Sequence, residues 1–491
     1  MPRPAADTFE SVVDVAIIGG GLAGLSCALA LEESGLSVAV FEADRILGGR
    51  AASMLDATSG DTIDIGPHIL LSEYRNMLDM LRSFGTHADI CWQDDLFITL
   101  LDQRRRLPMR LHKLPAPLHL LPSLLSVDAL STLDKLSNAR VTWLAMRTRP
   151  DDVELLDSLT GEQLLVECGV TERFREWFWQ TASLALLNLP LHECSAAALV
   201  RMYGQLIGKS GYRSGFPRTP LADLFVPHAC ARIERAGGSI ATNCAVTQLL
   251  VDERRLCGVR LGDGRKIGAR NCVVTLPPQT LQRLVVESAL TDLSIARDLD
   301  RFDPCPYIST YLWFDRKLTR ERFWSRVWSP TDLNSDFYDL SNIRRDVDPH
   351  RSLIASNCIY SSAHEPLSDD AIIERTCAEL SEFAPLASVG NIRHAVVHRI
   401  PMAIACPRPG TERARPSSAT ELEGLTLAGD WMATGLPSCM ESATYSGRLA
   451  AHRILGLHER TSSHALPIPP PEKDGVARWI EQVWPLRASP T

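Results

Sequence analysis

Several features that would place this chain in a restricted class of proteins are missing from its sequence. No run of about 18 apolar residues occurs in the 491 residues, so we expect no membrane-spanning helix. None of the thirteen cysteines belongs to a Cys-x-x-Cys pair, which argues against a zinc site and a disulfide framework. The N-terminal residues lack an apolar core, so we expect no signal peptide. These absences favour a reducing cytoplasm.

Positive charge is also in short supply. Lys and Arg number 51 against 59 Asp and Glu, and the resulting net charge of −8 argues against a nucleic-acid partner. No internal repeat, nucleophilic triad or metal-ligand cluster stands out. The composition, with 45% apolar and 22% charged residues, is typical of a globular protein. The chain is longer than a domain with a single hydrophobic core ordinarily is, which predicts two interleaved domains.

The most informative feature present is a glycine-rich turn near the N-terminus. The apolar run Val15–Ile18 predicts a buried strand, and Leu22–Ser34 predicts a helix after the turn. Between them lie the glycines of a G-x-G-x-x-G motif, Gly19, Gly21 and Gly24. The first permits a sharp turn, the second lets the backbone approach a pyrophosphate, and the third lets helix and strand pack closely. The helix N-terminus then favours the phosphates.

The residues after this turn distinguish FAD from NAD. A second apolar strand, Val38–Phe41, ends at Glu42, eighteen residues after Gly24, where a carboxylate can accept both ribose hydroxyls of an adenosine. The sequence continues to Gly48-Gly49-Arg50, which resembles the extended fingerprint of glutathione-reductase-like FAD enzymes. We expect Arg50 to reach the phosphates from the far side.

Two distant segments are complementary to the same cofactor. Gly237-Gly238 introduces a set of strands that includes Val246, and Leu425–Ala428 predicts a strand that ends at Gly429 and Asp430. Asp430 can hold a ribityl hydroxyl or a bridging water. A helix beginning near Ser438 or Cys439 would stabilise negative charge on the reduced flavin by about 0.3–1 kcal/mol, or about 2 kcal/mol if buried. A chain needs all three segments if it wraps a long dinucleotide.

Together these motifs resemble the flavin amine oxidase and phytoene desaturase superfamily. The resemblance implies an α/β fold, in which a glutathione-reductase-like Rossmann FAD domain is interleaved with a mixed-sheet and helical substrate domain. It also implies that the residue at Val246 contacts the adenine through its backbone. The predicted cofactor-binding residues are Gly19, Gly21, Leu22, Ala23, Gly24, Glu42, Ala43, Gly49, Arg50, Gly66, Pro67, Val246, Gly429, Asp430, Pro437 and Met440.

A narrower resemblance is to the hydroxysqualene dehydroxylases, also called squalene-associated FAD-dependent desaturases. The segments that carry it are Asp64–Leu71, Leu114–Leu121, Ala185–Pro190, Pro220–Phe225 and Thr434–Glu441. It implies reduction of hydroxysqualene to squalene on the way to hopanoids or related triterpenes. Pro67, where a polar residue is expected, and Ser442, where the superfamily usually has Gly, depart from the pattern and leave the substrate in question.

Removal of an allylic hydroxyl needs a proton for the leaving oxygen and a hydride for the carbon. The resemblance places His68 close to the flavin, as a proton donor or an orienting group, with a backbone-bonded structural histidine as the alternative. Glu441, on the flavin-facing helix, is a weaker catalytic candidate. Leu184–Leu189, Trp177–Trp179 and Tyr307–Phe314 are candidates for an apolar substrate lining, or are plain core.

Other functions stay open at this point. Carotenoid-type desaturation and amine oxidation belong to the same superfamily, although Arg399–Ile404 shows no aromatic pair for an amine cage. A non-catalytic prenyl-binding carrier is a third alternative. The expected partners are a hydrophobic isoprenoid and an external electron donor derived from NADPH, with the inner membrane surface as a further contact.

The expected organisation follows the three cofactor segments. Residues 96–218 should be mostly helical, and Leu107–Leu125 either rests on a membrane or forms a buried helical hairpin. Val476–Trp484 should form a short amphipathic helix that packs on the domain surface, with membrane contact as the alternative. The predicted units are FAD-binding parts at 1–95, 219–282 and 419–458, a helical substrate part at 96–218, a substrate sheet at 283–418 and a Pro-rich tail at 459–491.

Overall fold

The structure is a computed structural model that describes residues 9–93, 96–149, 152, 155–364, 366–388, 390–462 and 466–486. Residues 1–8, on which the prediction of no signal peptide largely rests, lie outside the described residues. Within these ranges, no helix has both the length and the apolar character needed to cross a bilayer.

Strands and helices are mixed along the described chain. In chain order the strands are β1 (Ser11–Ile18), β2 (Val38–Phe41), β3 (Ser53–Leu55), β4 (Thr62–Asp64), β5 (Leu70–Leu71), β6 (Ile90–Trp92), β7 (Leu96–Asp102), β8 (Arg105–Arg110), β9 (Ser214–Pro217), β10 (Ser239–Ala241), β11 (Val246–Asp252), β12 (Arg255–Leu261), β13 (Lys266–Val274), β14 (Pro304–Phe314), β15 (Phe323–Arg326), β16 (Asp336–Asp339), β17 (Leu353–Ile359), β18 (Ile392–Ala405) and β19 (Leu425–Leu427).

The helices are α1 (Leu22–Ala30), α2 (Arg75–Phe84), α3 (Leu121–Leu125), α4 (Thr132–Ser137), α5 (Ala139–Arg147), α6 (Gly161–Glu167), α7 (Glu172–Phe174), α8 (Thr181–Leu187), α9 (Ala196–Gly208), α10 (Val226–Arg235), α11 (Pro278–Glu287), α12 (Ser294–Asp298), α13 (Asp369–Phe383), α14 (Thr411–Ala414), α15 (Met440–Leu457) and α16 (Gly475–Val483).

The first sheet has the order β10-β2-β1-β13-β12-β11, and β19 also pairs with β13. Strands β10, β2, β1, β13 and β19 are parallel, whereas β11 and β12 form an antiparallel extension. Because successive side chains point to opposite faces, Val15 and Ile17 of β1 pack with α1, α10 and α15, while Ala16 and Ile18 pack toward β11–β13 and α11. The α/β fold class is confirmed.

The second sheet has the order β18-β14-β17-β16-β15-β7-β8. Its pairs are antiparallel except β15 with β7. Helix α13 covers one face, where Leu380 and Phe383 join the core with Trp324. The other face packs on the end of β4, since the hydroxyl of Tyr311 donates to the carbonyl of Asp64 at 2.8 Å.

Residues 96–218, expected to be mostly helical, contain strands as well as helices. This region contains β7 and β8, which form a hairpin and join the second sheet, and most of the remainder is helical. The hairpin turns at Gln103 and Arg104, both with positive φ. Such turns normally use Asn or Gly, so their usual sequence signal is absent. Leu107–Leu125 is also not a helical hairpin, because it begins in β8 and ends in the short α3.

Other sequence-based boundaries shift by a few residues. Residues Lys266–Val274, which the residue pattern divides into two short apolar runs, form the single strand β13. Helix α1 ends at Ala30, four residues before the predicted end. The predicted C-terminal helix is present as α16, and it packs against α5 and α9 through the buried side chains of Ala477 and Ile480.

Candidate active site

The glycine-rich turn lies at the carboxyl end of β1, where the chain enters α1. Gly19 has φ of +105°, and a Cβ at Gly24 would lie 1.9 Å from the carbonyl oxygen of Gly19. The helix and the turn can therefore approach only because residue 24 has no side chain. Gly21 caps α1 without a side-chain hydrogen bond, which leaves the first-turn amides of the helix uncapped by any side chain. This is the local geometry that a pyrophosphate requires.

Glu42 is held beside this turn by backbone amides. Its carboxylate accepts hydrogen bonds from the amide of Gly20 at 2.7 Å and from the amide of Asp44 at 2.9 Å. The backbone of Glu42 also bonds to Ala241 and Cys244, at 2.8 Å each. The segment that follows Gly237-Gly238 thus runs alongside Glu42 and leads directly to Val246. Two of the three predicted cofactor segments meet at this edge of the sheet.

The third segment reaches the same edge through β19. Gly429, with φ of +146°, follows this strand, and its amide donates to the hydroxyl of Ser446 on α15 at 2.9 Å. Helix α15 lies very close to α1, since a Cβ at Gly447 would be 2.3 Å from the carbonyl oxygen of Ala23. The first turn of α15, beginning at Met440, is therefore positioned by the glycine-turn helix.

Arg50 and Asp430, predicted at separate positions around the cofactor, form an ion pair with each other. The guanidinium donates to both carboxylate oxygens of Asp430, at 2.5 and 3.0 Å, and also to the carbonyl of Ala403 at 2.8 Å. Asp430 is buried, and a two-pronged pair of this kind fixes both side chains. The pair links the first and third cofactor segments to β18 of the second sheet.

Ser442, the departure from the usual glycine, makes its bonds within the protein. Its buried hydroxyl donates to the carbonyl of Asp430 at 2.8 Å and lies 2.7 Å from the hydroxyl of Thr434. The serine therefore ties α15 to the loop that carries Asp430. These hydrogen bonds indicate a positioning role for the serine hydroxyl.

His68 lies on the segment that connects the two sheets. Its Nδ1 is 2.6 Å from the carbonyl oxygen of Gly66, and because a carbonyl only accepts, Nδ1 carries the proton. Desolvation of the partly buried ring lowers the pKa of His68, opposed by Asp64 and by the Gly66 carbonyl, and Arg50 lowers it further. The neutral ring thus presents Nε2 as a proton acceptor. This geometry weighs against the predicted proton-donor role and favours an acceptor.

Gly66 determines how closely the His68 segment approaches the second sheet. A Cβ at this position would lie 2.9 Å from the hydroxyl oxygen of Ser309 on β14. Nearby, His398 of β18 bonds to the carbonyl of Ile65 at 3.3 Å through Nδ1. The segment is packed tightly on the sheet, and Pro67 within it is buried.

Comparison with known proteins assigns the chain to a family. The sequence profile of the flavin-containing amine oxidoreductases matches residues 22–455. The chain belongs to this family. The 15-cis-phytoene desaturase of Synechococcus elongatus is 27% identical over 477 residues, covering 92% of this chain and 98% of that protein. The zeta-carotene desaturase of Solanum lycopersicum is 22% identical over 501 residues, covering 95% and 85%.

Solved structures agree with this fold. A putrescine oxidase bound to putrescine superposes with a TM-score of 0.71 at 16% identity, covering 91% of this chain and 99% of that one. The family assignment makes FAD the cofactor of this flavoenzyme and makes the protein an oxidoreductase rather than a non-catalytic carrier. The uncapped α1 amides, the oriented Glu42 carboxylate and the side-chain-free glycine turn fit that dinucleotide. The hydroxysqualene dehydroxylases are a narrower group than these comparisons support.

The structure assigns Glu441 a structural role and so corrects its selection as a catalytic candidate. One carboxylate oxygen accepts from the backbone and side-chain amides of Asn76, at 2.9 and 2.7 Å, and the other from the amide of Met77 at 2.9 Å. Glu441 is almost fully buried, and burial raises its pKa while these donors lower it. It therefore caps the N-terminus of α2, and both of its oxygens accept hydrogen bonds within the protein.

A cavity of about 470 Å³ lies between the helical region and the second sheet. Of the predicted apolar lining, Leu184 and Ala185 face this cavity, whereas Leu187, Leu189, Trp177 and Trp179 are buried core. The indole groups of Trp177 and Trp179 donate to Asp102 and Asn138, at 2.9 Å each. The remaining lining is mixed: the polar and charged residues are Glu162, Glu172, Arg175, Glu176, Gln180, Thr181, His192, Ser325, Arg326, Ser329, Asp332, Asn334, Ser335, Tyr360 and His364.

A buried polar row that was not predicted from the sequence lies on the sheet face that packs on Gly66. Register places Ser309, Asn357 and Asp336 side by side across β14, β17 and β16. Ser309 donates to Asn357 at 3.0 Å, while one carboxylate oxygen of Asp336 has no hydrogen-bond partner among the described residues. Burial raises the pKa of Asp336 to about 7. No local signal marks this row, because it forms only when three separate strands pair.

Proposed function

We propose that this flavoenzyme exchanges hydride with a long isoprenoid, and that carotenoid-type desaturation is its first candidate reaction. The supporting observation is full-length similarity to 15-cis-phytoene desaturases. Bound FAD would supply the hydride acceptor. The residues proposed to hold it are those of the glycine turn, Glu42, Val246, and the Arg50–Asp430 pair. An electron acceptor outside the chain would then complete the cycle.

Desaturation also releases a proton, and His68 is proposed to take it. A hydride leaves one carbon, a proton leaves its neighbour, and a double bond forms between them. The Nε2 atom of His68 carries the free lone pair of the ring, since Nδ1 is protonated and donates to the carbonyl of Gly66. The lowered pKa keeps this ring neutral at pH 7, as a general base must be.

Reductive dehydroxylation of hydroxysqualene is the second candidate, and Asp336 is the observation that favours it. This reaction needs an acid for the departing hydroxyl, which leaves as water, and a hydride for the carbon. A carboxyl with a pKa of about 7 is protonated in part at neutral pH. The polar row that contains it would also suit an oxygenated ligand better than a pure hydrocarbon. An electron donor outside the chain is then required.

A paired assay separates the two candidates. Oxidised holoenzyme is incubated with phytoene and a quinone acceptor, and the dithionite-reduced holoenzyme with hydroxysqualene under anaerobic conditions. Appearance of a more conjugated polyene in the first assay supports desaturation. Squalene in the second assay with no polyene in the first would favour dehydroxylation over desaturation. Absence of product in both assays would refute both candidate reactions.

The role of His68 has a separate test. We expect His68→Ala to retain stoichiometric flavin and to lose kcat by about 100-fold or more, with the loss greatest above the pKa of the wild-type histidine. His452→Ala, an exposed histidine on α15, is the matched control and should keep full activity. Full activity of His68→Ala would remove the imidazole from the reaction.

A further inference from the structure

A buried cluster of three charged side chains packs on the loop that connects Asp430 to helix α15. It consists of Arg201 on α9, Glu412 on α14 and Arg415, which directly follows α14. Their side chains are 13%, 1% and 7% exposed, so water screens their charges only weakly. We call these three residues the charge cluster, and residues 431–437 the connecting loop.

The charge cluster shares one carboxylate between two guanidiniums. Arg201 donates to one carboxylate oxygen of Glu412, and Nε of Arg415 donates to the other at 3.1 Å. Burial raises the pKa of Glu412, but Arg415 and Arg201 outweigh this effect and hold the pKa below its usual value. Among the described residues, neither guanidinium has a second carboxylate partner. Two positive charges against one negative charge therefore leave a net charge of +1.

The cluster and its neighbour on α9 hold the connecting loop through three backbone carbonyls. The Nη1 atom of Arg415 donates to the carbonyls of Met432 and Leu436, at 3.3 and 3.1 Å. Gln205 of α9 donates to the carbonyl of Gly435 at 3.2 Å. The conformation of the loop therefore depends on groups that belong to the helical region and to α14.

Hydrogen bonds continue from the loop to residues proposed to contact the cofactor. The hydroxyl of Thr434 accepts from the amide of Leu436 at 3.3 Å and lies 2.7 Å from the hydroxyl of Ser442. Ser442 in turn donates to the carbonyl of Asp430 at 2.8 Å. The charge cluster is thus linked to both ends of the connecting loop, where Asp430 precedes it and the first turn of α15 follows it.

We propose that the charge cluster positions the connecting loop and supplies a positive charge that raises the reduction potential of the bound flavin. The ring system gains one negative charge when a hydride is transferred to it, and a buried net positive charge nearby favours that state. The inference rests on the proposed placement of FAD beside Asp430 and the start of α15. It does not depend on which isoprenoid reacts.

The sign of the potential shift tests the electrostatic role. The potential is measured on substrate-free holoenzyme equilibrated with a redox dye during slow reduction. Arg415→Gln removes a positive charge and should weaken the binding of reduced relative to oxidised flavin about tenfold, which lowers the two-electron potential by about 30 mV. Glu412→Gln removes the negative charge and keeps the side-chain shape, so it should raise the potential by a similar amount.

A buried ion pair elsewhere supplies the matched control. Arg232 of α10 is 20% exposed and pairs with Glu32, which lies beyond the C-terminal end of α1. Arg232→Gln should therefore keep the wild-type potential. Shifts of the same sign in Arg415→Gln and Glu412→Gln, or unchanged potentials in both, would overturn the electrostatic role.

The conservative variant Arg415→Lys tests the positioning role. It keeps the charge and should keep the wild-type potential, but one ammonium cannot replace the contacts of the guanidinium with Glu412, Met432 and Leu436. We expect about tenfold weaker FAD binding, measured by reconstitution of the flavin-free protein. Wild-type affinity would refute the positioning role. If Arg415→Gln does not retain flavin, equal potentials in Arg415→Lys and Glu412→Gln would overturn the electrostatic role.

The potential separates this inference from the proposed function, because its measurement needs no substrate. Opposite shifts in the two glutamine variants, together with no turnover of phytoene or hydroxysqualene, would refute the proposed function alone. Equal potentials in glutamine variants of an enzyme that turns over an isoprenoid would refute the charge cluster alone.

Discussion

The two sheets of this flavoenzyme differ in how they form their sites. The first sheet builds its site mainly from backbone: glycines without side chains, strand ends, and a helix that begins uncapped at Gly21. The second sheet builds its contribution from side chains on paired strands, such as Ser309, Asn357 and Asp336. A dinucleotide needs close approach of peptide groups, whereas a substrate is recognised by the shape and polarity of side chains.

This difference teaches that the two sites respond differently to substitution. In the first sheet, one added methyl group can collide with fixed backbone. In the second sheet, the same change meets side chains that can adjust, and its effect depends on charge and hydrogen bonding. Four substitutions test the contrast, from the largest expected effect to the smallest.

Gly24→Ala should have the largest effect. Its Cβ would lie 1.9 Å from the Gly19 carbonyl oxygen, so α1 would have to separate from the turn. We expect loss of bound flavin and a fall of about 4 kcal/mol or more in the free energy of unfolding. Gly456→Ala is the control, because a Cβ there meets nothing within 4 Å on helix α15. Normal flavin content in Gly24→Ala, read from the visible spectrum, would contradict the backbone argument.

Glu441→Ala should destabilise the protein by about 3 kcal/mol. The substitution leaves three buried N–H groups at the start of α2 without their acceptor. Urea unfolding measures this, and Glu441→Gln, which keeps one acceptor oxygen, should lose less. Per bound flavin, activity in both variants should stay near the wild-type level. A large kcat loss in a stable Glu441→Gln protein would restore Glu441 as a catalytic candidate.

Asp336→Asn should change stability in a pH-dependent manner. The pKa of this carboxyl is about 7 in the folded protein against 3.8 unfolded, so ionisation favours the unfolded chain. The wild type therefore loses stability as pH rises from about 4 through about 7, by about 2–3 kcal/mol between pH 5 and pH 8. The groups facing it are Asn357, Tyr338 and Tyr307. In thermal unfolding, the stability of the variant relative to the wild type should increase as pH rises. A stability difference that stays constant with pH would mean that Asp336 does not titrate in this range.

Ser442→Ala should have the smallest effect. It removes the hydroxyl that bonds to the Asp430 carbonyl and to Thr434, for about 1 kcal/mol. Ser442→Gly, which installs the residue usual in the superfamily, should cost about 1 kcal/mol more because glycine is a poor helix former. Flavin should stay bound in both variants. Loss of flavin from Ser442→Ala would give this hydroxyl a direct role at the cofactor.

Much of the first sheet could be predicted from sequence, and much less of the second. The glycine turn, Glu42 and Gly429 each lie at the end of an apolar strand, which is a local pattern. The ion pair of Arg50 with Asp430 joins residues 380 positions apart, and no local pattern marks it. The predicted roles of the individual cofactor residues stay predictions. The β7–β8 hairpin was missed because its turn uses Gln103 and Arg104 in place of glycine.

Helix α16 shows a second property that the sequence pattern leaves undetermined, namely which apolar side chains are buried. Its sequence indicates an amphipathic helix with Trp479, Ile480 and Val483 together on one side. In the structure Ile480 is buried and the other two are exposed, because α5 and α9 cover only part of the apolar surface. Periodicity reports that a surface is apolar, but it does not report which part of that surface a neighbour covers.

The sequence by itself determined the fold class, the cofactor and the three segments that the structure brings to one edge of the first sheet, because each depends on short-range constraints such as φ angles and strand ends. Tertiary structure alone decided that Glu441 caps a helix, that His68 presents an acceptor nitrogen, and that Asp336 is buried beside Asn357. These properties depend on which groups come within a few ångströms of one another, and only the packed chain establishes that.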